Sequence, residues 1–299
     1  MAKKIKVHGL FATNKPRGMS CAKVLELIDK VSRAHAASTR IEMTRRKVVK
    51  LGCGGALDDI AAGVLVVGVN DGAKELKRFT KCDKTYEVTT MLGFQSDALD
   101  VRGQHAEKKP LPSGLEEKLR AILPKFVGVI RQLPPKYTAV NIDEGTRLHE
   151  YGRKQIEVTR PSEPRFVRID RLELLDYTTR HNYKPIMRKR EDSDDVDAIS
   201  DESKALVSSK SPSESPYPIF KLKVECGGGA FIRSLIRDIG KQLDTPVSLV
   251  DLVRTREAEF VLGENTMRFE DLDDFDNIYK AINDHIRLIR KLDYGDFKL

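Results

Sequence analysis

Two neighbouring carboxylates, Asp58 and Asp59, interrupt the run Gly52-Cys53-Gly54-Gly55-Ala56-Leu57-Asp58-Asp59-Ile60-Ala61-Ala62-Gly63-Val64-Leu65, which is otherwise small and apolar. Burial disfavours the charged form of an acid, so a carboxylate that stays ionised in such a setting needs a cation or amide donors beside it. Kept ionised, it can serve as a nucleophile in covalent catalysis. Glycines ahead of the acids allow positive φ and let backbone approach a ligand closely. The apolar run after them reads as a buried element, which leaves Asp58 at a loop edge above a core. A structural alternative is that Asp58 caps a helix-like segment just after it, since Asp is a favoured N-cap.

The elements that must position this loop are readable in outline. Ser20 precedes an amphipathic stretch, residues 22–31, and supplies a cap for a helix there. Residues 85–92 and 219–224 alternate as strands do. Phe231, Ile232, Leu235, Ile236, Ile239 and Leu243 recur at helical spacing, which predicts a helix over 230–243 with Arg233 in its first turn. Gly227, Gly228 and Gly229 just before it permit a tight turn that aims this segment into a cleft. The alternative for Arg233 is a solvated helix surface, the usual place for arginine. Residues 268–299 read as a terminal helix.

Composition bounds the rest. A chain of 299 residues with 40% hydrophobic content can bury one large domain or two modest ones. A net charge of +8 and a pI near 9.2 favour an acidic partner such as nucleic acid. The four cysteines, 21, 53, 82 and 226, form no C-x-x-C pair, so neither a zinc site nor a disulfide framework is indicated and a reducing compartment is expected. No run approaches the roughly 18 apolar residues of a membrane span, and the first residues lack the apolar stretch of a secretory signal. The chain therefore reads as intracellular, in the nucleus or cytoplasm, with the mitochondrion a further compartment. Residues 33–50 carry Arg33, Arg40, Arg45, Arg46, Lys47 and Lys50 against Glu42, a cluster suited to gripping phosphates or, alternatively, a solvated or nuclear-localisation tract. Residues 181–217 turn from basic to acidic and end rich in Ser and Pro, with too little apolar surface to offset ordering entropy, so a mobile loop is expected.

Around Asp58 the sequence resembles the TruB-type pseudouridine synthases, whose signature reads roughly G-H-G-G-T-L-D-P-x-A-T/S-G-V-L. Five further segments keep the family's order: Lys15-Pro16-Arg17-Gly18-Met19-Ser20; Lys84-Thr85-Tyr86 with Leu92-Gly93 and residues 97–103; Gln132-Leu133-Pro134-Pro135-Lys136-Tyr137-Thr138-Ala139; Leu148-His149-Glu150-Tyr151-Gly152-Arg153; and residues 226–235, including Phe231-Ile232-Arg233. Together they span about residues 9–262. The resemblance implies an α+β fold, a mixed and largely antiparallel sheet flanked by helices. It implies a catalytic domain over 1–265 with insertions at 33–50 and 181–217, and a helical tail over 266–299 too short for the separate PUA domain of bacterial relatives.

For the site, the resemblance implies Asp58 as the catalytic group, Arg233 as its ionic partner and Tyr86 as the ring that stacks on the target base; without it, Tyr86 reads as a strand tyrosine packing a core. Lys15, Cys53, Arg45, Arg46, Lys47, Lys84 and Phe231 are expected to face RNA, and no metal or cofactor is expected. The implied partner is the T-arm of tRNA, bound by a monomer, with the uridine at the family's position 55 as the target. Three departures stand out: Cys53 replaces the family's His, Asp59 its Pro and Phe231 its Tyr. They keep open a catalytically impaired T-loop binder acting as a tRNA-folding chaperone; a synthase for another RNA with a T-loop-like fold, and a ribosome- or RNP-associated RNA-binding protein using the basic insertion, are further alternatives.

Overall fold

Period-two alternation and helical spacing of apolar residues divide the chain much as expected. The computed structural model describes residues 7–39, 49–96, 98–100, 105–135, 141–143, 146–147, 163–183 and 213–293. In chain order these form β1 (Gly9–Lys15), α1 (Cys21–Thr39), β2 (Leu51–Gly54), β3 (Ala62–Val69), β4 (Lys84–Leu92), β5 (Phe94–Ser96), β6 (His105–Lys108), α2 (Leu115–Ile122), β7 (Gly128–Gln132), β8 (Asn141–Asp143), β9 (Thr146–Arg147), β10 (Arg165–His181), β11 (Ser213–Cys226), α3 (Ile232–Gln242), β12 (Val247–Glu257), β13 (Phe260–Val261) and α4 (Phe275–Asp293). Tight 3₁₀ segments lie at Asn70–Thr80, Leu123–Phe126 and Phe269–Asp273.

Two compact units result, one built from residues up to Lys84 together with those from Val253 onward, the other from Thr85–Leu252. In the first, β3 pairs antiparallel with β1 from Gly9↔Val69 to Lys15↔Gly63, and antiparallel with β2 through Cys53↔Val67. Its start runs parallel to β12 at Val253↔Ala62 and Arg254↔Gly63, which makes the sheet mixed. Gly63 sits at φ +105, and a Cβ there would lie 2.2 Å from the Arg254 carbonyl oxygen, so this close approach requires glycine. β3 is apolar throughout because both its faces are covered. Leu65, Val67 and Val69 pack with Phe11, Val24, Ile28, Phe275, Ile278 and Ile282 from β1, α1 and α4, while Val64 and Val66 pack with Leu10, Phe79 and Phe260. Ser20 caps α1 as expected, its Oγ accepting from the Lys23 amide at 3.2 Å.

In the second unit the strand order β4-β11-β10-β7 is antiparallel where β10 meets β11 and β7, and β12 begins beside β4. α3 buries Ile232, Leu235, Ile236 and Ile239. The α+β reading is what the structure shows. Two expected boundaries move. α1 continues to Thr39, through the first part of the basic insertion, because Val24, Ile28 and Ser32 keep a buried stripe at helical spacing. The second insertion is narrower than 181–217, since His181 and Ser213 pair in the β10–β11 ladder. Arg45, Arg46, Lys47, the segment 184–212 and most of the motifs over 136–153 lie outside the described residues.

A charged cluster closes the first unit. Glu259, in the β12–β13 turn, accepts hydrogen bonds from Arg78 at 3.0 Å and pairs with His285 of α4 at 3.0 Å. Burial pushes the Glu259 carboxyl up, but His285 and Arg78 outweigh it and hold it down to about 2. A depressed carboxylate contributes stability that is present above its ordinary value of 4.5 and lost as pH falls toward about 2. Glu259→Gln is therefore expected to lower the thermal midpoint at pH 6 and to flatten the decline between pH 4.5 and 2; parallel wild-type and variant curves across that range would show that this pairing does not set the acid limb.

Candidate functional site

Between β2 and β3 the chain turns over residues 55–61, and this loop carries Asp58. Past Asp58 the chain enters the buried strand β3 and not a helix, so the helix-cap reading of Asp58 falls away. The loop's backbone is held at many points. Gly55 adopts φ +58, and its carbonyl accepts from Arg254 Nη2 at 2.9 Å. On the far side the Val64 carbonyl accepts from Arg254 Nε at 2.8 Å. One guanidinium thus fastens both ends of the loop. Within it, the Ala61 amide donates to the Asp58 carbonyl at 3.0 Å, and the Gly18 amide to the Asp59 carbonyl at 2.7 Å. Leu57 meets Cys21 of α1, whose Sγ lies 3.2 Å from the Leu57 carbonyl oxygen and 3.5 Å from its amide nitrogen.

Lys15 is 0% exposed. Its ammonium donates to the carbonyls of Met19 at 2.7 Å, Pro16 at 3.0 Å and Asp59 at 3.5 Å, which ties the Lys15–Ser20 turn to the Asp58 loop. Lys15, expected at the RNA, turns these donors inward to backbone, as burial of an ammonium demands. Lys84, also expected at the RNA, is buried too. Its Nζ donates to the Phe79 carbonyl at 2.6 Å and the Cys82 carbonyl at 3.1 Å, and lies 3.5 Å from Glu257 Oε1. Glu257 and Arg254 are both fully buried and pair at 2.9 Å. Desolvation lifts the Glu257 carboxyl to about 7, with Arg254 and Lys84 pulling against it.

Cys53 stands in β2, half-buried, packed in the same apolar cluster as Cys21. The Cys53 thiol lends Cys21 a hydrogen bond that, against burial, lowers the Cys21 thiol to about 6, while Cys53 itself is raised by the same contact. In the second unit Tyr86 lies on β4 and is buried. Arg233 stands in the first turn of α3 as expected, and it is buried, not on the helix surface; its Nη1 donates to the Ala98 carbonyl at 3.3 Å. Phe231 takes the N-cap position of α3, where its amide donates to Gln132 Oε1 at 3.0 Å, and the next turn is fastened by Ser234 Oγ donating to the Leu133 carbonyl at 2.7 Å. The Gln132-Leu133 pair of the Q-x-P-P segment thus serves as the seat for the helix that carries Arg233.

Sequence reasoning missed Arg254 and Glu257. The signal was present for the first: Leu252 and Arg254 share a face in the alternation of β12, so a buried Leu252 implies a buried Arg254. No comparable signal marks Glu257.

A sequence profile described as TruB family pseudouridylate synthase (N terminal domain) matches residues 42–190. The human protein named pseudouridylate synthase TRUB1 is 33% identical over 268 residues, covering 89% of this chain and 65% of its own length. Its mouse counterpart is 33% identical with 68% of its length covered. The chain belongs to the TruB family. Schizosaccharomyces pombe tRNA pseudouridine synthase 4 is 28% identical over 88% of this chain and 82% of its own length. In fold, the chain resembles a chain of the crystal structure of a Cbf5-Nop10-Gar1 complex, which superposes with a TM-score of 0.53 at 20% identity, over 91% of this chain and 55% of that one.

Within that fold, the TruB signature glycines have a physical task. A Cβ on Gly55 would lie 2.0 Å from Glu257 Oε1, on a residue already at positive φ. Gly55→Ala is expected to cost about 1–3 kcal/mol from backbone strain alone, before the displaced carboxylate is counted. Chemical denaturation measures it, and an unchanged midpoint would mean that the turn and Glu257 rearrange at no cost.

Proposed function

We propose that this chain is a tRNA pseudouridine synthase that converts a T-loop uridine, at the family's position 55, into pseudouridine. Membership of the TruB family is the observation that carries the reading, and the backbone-held loop around Asp58 supports it. The isomerisation breaks the C1′–N1 bond, turns the freed base and joins C1′ to C5; C5 then gives up its proton and N1 gains one. Asp58 is the group proposed to attack the sugar or assist departure of the base, as nucleophilic carboxylates do elsewhere. A base cannot be turned over inside a stack, so it must be flipped out and held against an apolar or aromatic face, the role proposed for Tyr86. Arg233 is proposed as the cation that keeps Asp58 ionised, its buried place in α3 supporting a task other than solvation. Tight backbone anchoring of the loop suits such chemistry, because a reactive group misplaced by about 1 Å costs roughly 10²-fold in rate.

The RNA partner is inferred from relatives named as tRNA pseudouridine synthases. Cys53, Phe231, Arg45, Arg46 and Lys47 remain the proposed RNA contacts, and the protein is proposed to act as a monomer. Site-resolved pseudouridine mapping on unmodified tRNA tests the reading. Wild-type protein should modify the T-loop uridine, and Asp58→Ala should reduce the rate by about 10³-fold or more without loss of RNA binding; binding by both proteins with product from neither would instead mark a T-loop-binding chaperone.

A further inference from the structure

Beneath the Asp58 loop lies a carboxylate that the proposed reaction does not use. Glu257 is fully buried, and each of its oxygens faces one cation, Oε1 toward Lys84 at 3.5 Å and Oε2 toward Arg254 at 2.9 Å. Burying three charged groups is expensive, and replacing such a cluster with apolar residues is often neutral or stabilising. Stability alone is thus a poor account of its presence. Its geometry gives a better one. Arg254 Nη2 is shared between Glu257 and the Gly55 carbonyl, and Nε of the same guanidinium holds the Val64 carbonyl. Oε1 occupies the space that a side chain at residue 55 would fill. Carboxylate, guanidinium and turn are therefore fitted to one another.

We propose that Glu257 is a positioning residue: its ionised carboxylate, set between Lys84 and Arg254, holds by charge the guanidinium that fastens both ends of the Asp58 loop. For its activity readout this rests on the pseudouridine synthase reading; for its structural readout it rests on the geometry alone. Groups facing the carboxylate come from several elements: Lys84 from β4, Arg254 from its own strand, Cys21 from α1, Cys53 from β2 and Cys82 from the turn before β4. Burial is the dominant influence and leaves Glu257 titrating near 7. Because its ordinary value of 4.5 is raised in the fold, the stability it contributes is full below pH 4.5 and is lost as pH rises through about 7. The fastening by charge runs the other way, complete only above about 7. Stability and loop anchoring thus respond to pH in opposite directions.

The test uses the full chain and the Glu257→Gln variant, which keeps the shape and removes the charge. Wild-type single-turnover pseudouridine formation on unmodified tRNA should rise with pH along a limb centred near 7. In the variant the limb should vanish and the rate at pH 8 should fall about ten-fold or more, with the thermal midpoint at pH 8 not lowered. Amide exchange over residues 55–64 at pH 8 should quicken several-fold, with β1 and the rest of β3 unchanged. A Cys21→Ser variant separates the other titrating neighbour. A limb that persists in Glu257→Gln and disappears in Cys21→Ser overturns the proposal, as does a Gln variant with wild-type rate and wild-type loop exchange. If wild-type protein makes no pseudouridine in tRNA but the loop still loosens in Glu257→Gln, the positioning role stands and the functional reading falls.

Discussion

A buried guanidinium must find acceptors for its donors, and in this chain that requirement organises the neighbourhood of Asp58. Arg254 has no exposed surface, and its contacts go to the Gly55 and Val64 carbonyls and to Glu257. Those two carbonyls flank the loop, so the bonds from Nε and Nη2 draw β2, β3 and β12 to a common point. The left-handed turn at Gly55 is a consequence, because nothing bulkier fits beside the carboxylate. So is the close parallel approach at Gly63. Losing either carbonyl bond from Arg254 would cost about 1–3 kcal/mol in such a place.

Lys15 applies the same logic from the other side. Its ammonium is spent on three backbone carbonyls, one of them that of Asp59. Between Arg254 and Lys15, the loop's main chain is anchored by cations that never meet solvent. Preorganisation of this sort places the cost of ordering in folding and not in each catalytic event. Three of the departures from the family pattern, Cys53, Asp59 and Phe231, have contacts of their own. Asp59 is gripped through its carbonyl, an interaction that does not depend on which side chain stands there. Cys53 meets Cys21, which in turn touches Leu57. Phe231 contributes its amide to the start of α3.

Whatever local pattern determines is legible in the sequence. The glycine-flanked carboxylates, the doubly buried run of β3, the Ser20 cap and the helical spacing that put Arg233 in a first turn are all encoded within a few residues of themselves. The pairing of Arg254 with a loop some 190 residues earlier is not. A lysine in Lys15-Pro16-Arg17 or a glutamate in Arg256-Glu257-Ala258-Glu259 looks like surface charge, since those residue types are seldom fully buried. Only tertiary pairing reveals that these particular charges are inside. The ends of α1 and of the β10–β11 ladder escape the sequence for a related reason: composition marks where charge accumulates, not where backbone pairing stops.

The first unit is discontinuous in sequence, with residues 85–252 emerging between its two parts. During synthesis the loop bearing Asp58 leaves the ribosome long before Arg254 and Glu257 exist. Until those residues are made, the Gly55 and Val64 carbonyls must be served by water or by another protein, and β3 lacks its parallel neighbour. The order of translation thus delays assembly of the Asp58 loop until most of the chain is in place, and a nascent chain halted before residue 253 carries the aspartate without the cation that shapes its loop.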